Sequence, residues 1–185
     1  MLIAAQYLVD RLRHPRSRAD EVAALRRRFT EREPASPEEQ ALAAELLRLR
    51  EELSLALAGV TSCAGCARRH PLPHGRYDGG HCCGTRTENV FTDDEIAALR
   101  LSGTTAARLT PAIGDHAGCA FRGPEGCANA VADRPNICVR YVCLELEGEL
   151  RERGDLREIK AIAAAIGKAF ERFRAARADR VAARA

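Results

Sequence analysis

The stretch SPEEQALAAELLRLREELSLALAG, residues 36–59, decides the fold. Ser36 offers a side-chain oxygen to the first free amides. Pro37 brings a pre-set φ to a position where its missing N–H costs nothing, and Glu39 stands where it can answer the cap. Leu42, Leu46, Leu49, Leu53 and Leu57 then recur at helical spacing, and Gly59 ends the run. A helix over residues 37–58 with so continuous an apolar stripe requires an apolar partner.

The rest of the chain supplies one. From Asp155 onward Leu156, Ile159, Ile162, Ile166, Phe170 and Phe173 form a second stripe, weakened at Gly167 by roughly 1 kcal/mol relative to alanine. The two stripes are expected to pack as an antiparallel pair. Upstream, Ser17 followed by Asp20 reads as a cap, with Val22, Leu25 and Phe29 on one face behind it. Residues 1–59 are therefore read as N-terminal helices and residues 144–185 as a C-terminal helix packed on them. Residues 60–143 form a cysteine-rich insert, the whole being one compact, mainly α domain. No internal repeat or low-complexity run interrupts this reading.

The insert differs in character. Glycine, proline and cysteine become frequent and the long apolar periodicity stops, so the segment reads as loop-rich. One short helix is expected inside it, with Thr92 as cap, Glu95 as its box partner, Ile96 and Leu99 buried and Gly103 as the stop. The carboxylates Asp93, Asp94 and Glu95 then serve that helix start rather than catalysis. Loops this long are rare in a compact domain unless something else orders them, and metal–thiolate bonds would do so.

All eight cysteines fall in this insert: Cys63, Cys66, Cys82, Cys83, Cys119, Cys127, Cys138 and Cys143. The CxxC turn at Cys63 and Cys66 lets backbone curl around one ion, and six further thiols make metal ligation the favoured reading over buried or disulfide cysteines. Neighbouring side chains diverge, so Cys82 and Cys83 reach one ion only through distorted backbone, which Gly79, Gly80 and Gly84 would permit. A vicinal disulfide there would be strained. His70, His74 and His81 lie near enough in sequence for a mixed site, although Pro71 and Pro73 argue against a helix that would align the first two. His14 and His116 read as surface residues.

Composition sets the remaining bounds. The chain has 185 residues, no tryptophan and a formal charge of +3, and its apolar content is dominated by alanine and leucine, which suits helices. The basic excess lies at the end: residues 151–185 carry ten basic and five acidic groups, whereas residues 1–60 carry ten of each. Glu158 and Glu171 interleave with those arginines and no aromatic platform accompanies them, so a solvated helix face is preferred to a nucleic-acid surface. No stretch approaches the roughly 20 apolar residues of a membrane helix, and the first residues lack the pattern of a secretory leader. A cytoplasmic protein is expected, and in a reducing compartment a dense cysteine set points to metal or redox work.

Order and spacing of the cysteines carry a resemblance. Gly118-Cys119-Ala120-Phe121, Gly126-Cys127 and Asp133-Arg134-Pro135-Asn136-Ile137-Cys138 resemble the GCxF, GxC and RPxxC signature of the YkgJ-like cysteine-cluster family, a zinc- or iron-chelating domain. Upstream, Cys63, Cys66, Cys82, Cys83 and Thr92-Asp93-Asp94-Glu95-Ile96 follow the same family order. This chain places fifteen residues between Cys66 and Cys82, where the family has about three. Val139-Arg140-Tyr141-Val142-Cys143 stands where an aromatic-proline ending is usual.

The resemblance implies an iron–sulfur cluster, taken as a single 4Fe-4S centre, or zinc, and a role in electron transfer, redox sensing or cluster handling with a protein partner. Homo-oligomers remain allowed. A zinc-stabilised interaction module is the alternative; a lysine-methylase-like enzyme comes third, because no nucleotide loop or nucleophile–base pair accompanies it. Arg134 is expected either to offset thiolate charge or to lie on the surface.

Overall fold

The computed structural model describes residues 17–31, 33–62, 86–112, 119–123 and 126–183. Helices dominate it: α1 (Arg18–Thr30), α2 (Pro37–Ala56), α3 (Thr87–Val90), α4 (Asp93–Leu101), α5 (Asn136–Arg140), α6 (Leu144–Arg153) and α7 (Leu156–Ala182). A two-residue antiparallel ladder joins β1 (Arg122–Gly123) to β2 (Gly126–Cys127), with Arg122 opposite Cys127. None of the described helices is long and apolar enough to cross a membrane.

The helix starts follow the local chemistry. Ser17 Oγ accepts from the Asp20 amide at 3.2 Å. At α2 both halves of the reciprocal cap form: Ser36 Oγ accepts from the Glu39 amide at 3.1 Å, and the Ser36 amide donates to Glu39 Oε2 at 2.6 Å. Gly59 follows α2 with φ +80°, a left-handed conformation that side chains resist.

Helices α2 and α7 pack along their length, as the two stripes require. Leu42, Leu46 and Leu53 are buried against Ile159, Ile166 and Phe173, and the cluster continues into Ala97 and Ala98 of α4 and Leu146 and Leu150 of α6. Each fully buried aliphatic side chain contributes about 1.5–3 kcal/mol, so this cluster holds the bundle together. Separate helices α6 and α7 replace the single C-terminal element expected from the sequence. Gly154 adopts φ 84° at the end of α6 and turns the chain back on itself.

The described part of the insert has an apolar cluster of its own. Val90, Phe91, Ile96, Leu99, Leu109, Ala120 and Phe121 form a second buried cluster with Val22, Leu25 and Phe29 of α1. The rings of Phe29 and Phe91 meet edge-on at 6.5 Å, and those of Phe91 and Phe121 lie 5.3 Å apart. Its apolar residues are scattered through turns and short helices, so no periodicity announces them; they converge only when α1 folds over them. Helix α4 is the wall between the clusters, with Ala97 and Ala98 facing one and Ile96 facing the other.

Charge pairing completes the bundle. Arg177 bridges Asp94 at 2.6 Å and Glu33 at 2.7 Å, Arg180 binds Glu39 at 2.7 Å, and Arg174 reaches Asp94 at 3.2 Å. The basic end of the chain is thus neutralised in part by acids just before and at the start of α2 and at the start of α4.

Within α7, a methyl group at Gly167 would lie 3.6 Å from Arg140 Nη1, an ordinary contact. Gly167→Ala should therefore raise stability by about 1 kcal/mol, seen as a higher urea midpoint with unchanged slope. A lower midpoint would mean that α5 and α7 approach too closely there for a side chain.

Candidate functional site

Four of the eight candidate cysteines are described, and they fall into two environments. Cys119 is buried in the α1-side cluster, while Cys127 and Cys138, half-buried, pack against the same cluster. Cys143 packs against the α2–α7 cluster instead, and its Sγ accepts from the Leu146 amide at 3.5 Å as the N-cap of α6. Cys63, Cys66, Cys82 and Cys83 lie outside the described residues, as do His14, His70, His74, His81 and His116.

Each of the three clustered cysteines sits on backbone tied down by polar contacts. The Cys119 carbonyl accepts from the Arg122 amide at 3.0 Å, closing the turn that leads into β1. The next residue, Ala120, donates to Thr87 Oγ1 at 2.9 Å, and that hydroxyl donates to Glu21 Oε2 at 2.7 Å. Arg18 of α1 crosses to the Arg122 carbonyl at 2.6 Å. Cys127 lies in the ladder opposite Arg122.

Arg134 is half-buried rather than a surface residue. Its guanidinium donates to the carbonyls of Asn129 at 2.9 Å and Cys127 at 3.4 Å, so it staples the turn between β2 and α5 through backbone oxygens. A planar fork of donors suits two nearby carbonyls as well as it suits an anion.

The Cys138 segment is anchored from below. Glu95 is only 3% exposed, and its Oε2 accepts from the Asn136 amide at 2.9 Å and from Asn136 Nδ2 at 2.8 Å. Its Oε1 accepts from the Ile137 amide at 3.3 Å. Thr92 caps α4 through the Glu95 amide, as the sequence predicts, but the expected return bond from the Glu95 carboxyl is replaced by this inward reach. Three donors on α5 outbid one amide at the surface. Asp93 and Asp94 likewise pair outward, with Arg28 at 2.7 Å and with Arg174 and Arg177.

Arg50 completes the buried polar group. It is fully buried, donates to Asn136 Oδ1 at 3.3 Å, and its Nε and Nη2 have no acceptor among the described residues. Burial pushes its pKa down, while Glu95 and Asp133 oppose that shift. Asp133 is held by Thr104 Oγ1 at 2.8 Å and Arg108 at 3.0 Å. Sequence reasoning missed Arg50 and Asn136, although one signal was legible: position 50 follows Leu46 by four and precedes Leu53 by three, so a charge stands on the leucine stripe.

Among the described residues, no three His, Cys, Asp or Glu side chains gather closely enough to hold a metal ion. The donor chemistry of Cys119, Cys127 and Cys138 fits a thiophilic metal, but a complete ligand set would need the cysteines outside the described residues.

Desolvation is the largest influence on Glu95 and pushes its carboxyl up to about 7, against the α5 amides and Arg50. A raised acid adds stability below its ordinary pKa of 4.5 and loses it as pH climbs through about 7. Relative to Glu95→Gln, the wild-type chain should lose on the order of 3 kcal/mol between about pH 4 and about pH 8, measured by urea unfolding at both. A difference that stays constant with pH would mean the carboxyl titrates normally.

No family model, no curated protein and no solved structure matches this chain.

Proposed function

We propose that the chain is a metal-binding cysteine-cluster protein, related to the YkgJ-like family, that carries an iron–sulfur cluster and serves in electron transfer, redox sensing or cluster handling. The observation that carries this reading is the placement of Cys119, Cys127 and Cys138 along one apolar cluster, on backbone fixed by Thr87, Arg18, Arg134 and Glu95. Isolated structural thiols need no such framework; soft-metal ligands do, because a site depends on donors already held in place. The motif order from Cys63 to Cys138 supports the family relation.

Bound iron–sulfur would supply one-electron chemistry. The chain's own residues would set its surroundings. The buried Phe91 and Phe121 rings beside these cysteines would exclude water from the group, and the half-buried Cys127 and Cys138 would leave it an approach from solvent. On this reading Cys143 acts as the cap of α6 and the ligands come from the other seven cysteines.

Iron, acid-labile sulfide and zinc per chain in anaerobically purified protein test the proposal. Iron and sulfide in equal amounts are expected, lost in Cys138→Ala and kept in Cys143→Ser, whose hydroxyl can still cap α6. Zinc without sulfide would make the chain a zinc-stabilised interaction module. Protein that holds neither metal would overturn the proposal.

A further inference from the structure

Glu95 is used by no surface function and no cap of its own helix, yet it is one of the best-buried charged side chains of the chain. Its two oxygens take the first two amides of α5, those of Asn136 and Ile137, which directly precede Cys138. The Asn136 side chain adds a further bond to the same carboxyl, and its own oxygen accepts from Arg50. The Cys138 amide closes back on the Pro135 carbonyl at 2.9 Å. The backbone that aims the Cys138 thiol is therefore gripped on its inner side by one carboxylate rooted in α4.

The same construction recurs at a second helix. Glu149 of α6 accepts from the amides of Thr61 and Ser62, both at 2.8 Å, and from the hydroxyls of both residues. The Ser62 hydroxyl and the Thr61 amide hold its carboxyl far below the usual range, at about 2. Thr61 and Ser62 are the two residues that precede Cys63 in the chain. Two unrelated helices thus each present a glutamate to the pair of amides just before a cysteine, an arrangement that packing alone does not require.

We infer that Glu95 is a positioning residue for the metal-binding thiols, fixing Cys138 by clamping the Asn136–Ile137 amides, in the cluster-binding reading given above. It acts through the backbone, by its bonds to the Asn136 and Ile137 amides. Ligand-orienting partners of this kind typically change metal affinity by about 10- to 100-fold when removed. The clamp also ties the backbone at Cys138 to the wall between the two apolar clusters.

The test uses the full chain with Glu95→Gln and Glu95→Asp, the latter keeping the charge but one methylene too short to span both amides. Three readouts are taken: metal content as purified under anaerobic conditions, helical content by circular dichroism, and the iodoacetamide alkylation rates of Cys138 and Cys143 after chelator stripping, resolved by mass spectrometry. The inference expects both variants to keep their helices and to lose metal, with Cys138 alkylated about tenfold faster and Cys143 unchanged. Unchanged Cys138 alkylation in both folded variants would overturn it, whatever the metal content. Loss of helices in both variants would also overturn it, by making Glu95 a folding residue. A wild-type chain without metal whose Cys138 still responds to the substitutions would refute the metal reading and leave the clamp standing.

Discussion

A single carboxylate joins the two halves of this molecule. Glu95 stands on α4, the helix that separates the α2–α7 cluster from the α1-side cluster, and it binds the start of α5 on which Cys138 rides. Removing a carboxylate from water costs several kcal/mol, and the group is retained only because three N–H donors and the nearby Arg50 meet it. An apolar residue at this position would relieve the desolvation but leave the first amides of α5 buried without acceptors. The carboxyl is therefore a constraint on the whole arrangement: α2 must deliver Arg50, α5 must deliver Asn136, and both must meet α4 in one register.

Around that junction the charges divide by role. Those at the outer seam, from Glu33 and Glu39 to Arg177 and Arg180, bind the end of α7 to the start of α2 and to α4. Their separation in sequence hides them, and the basic end of the chain looks like a free surface until its partners are seen. Those on the cysteine side do a different task. Arg18, Arg26 and Arg134 all donate to backbone carbonyls, at Arg122, Leu109 and Asn129, and so shape turns that have few repeating bonds of their own.

The sequence was legible where structure is local. The reciprocal cap at Ser36 and Glu39, the leucine stripe of α2 and its match to α7 follow from spacing alone, because a helix writes its buried face at fixed intervals. The insert was not, because its order comes from contacts between distant residues. Glu95 meets Asn136 and Arg50 meets Asn136 across the chain, and Phe29 meets Phe91, none of which any local pattern encodes. The cysteines were legible as a set, yet only the fold separates Cys143, a helix cap, from Cys119, Cys127 and Cys138.

The most direct measurement is the titration of the Glu95 side-chain carboxyl by carbon-detected NMR, followed together with the Asn136 and Ile137 amide resonances. One common midpoint near pH 7 is expected for all three, far from the ordinary 4.5, because the same carboxyl is buried and bonded to both amides. A carboxyl titrating at its ordinary value, with amides that do not follow it, would contradict the junction on which this description of the molecule rests.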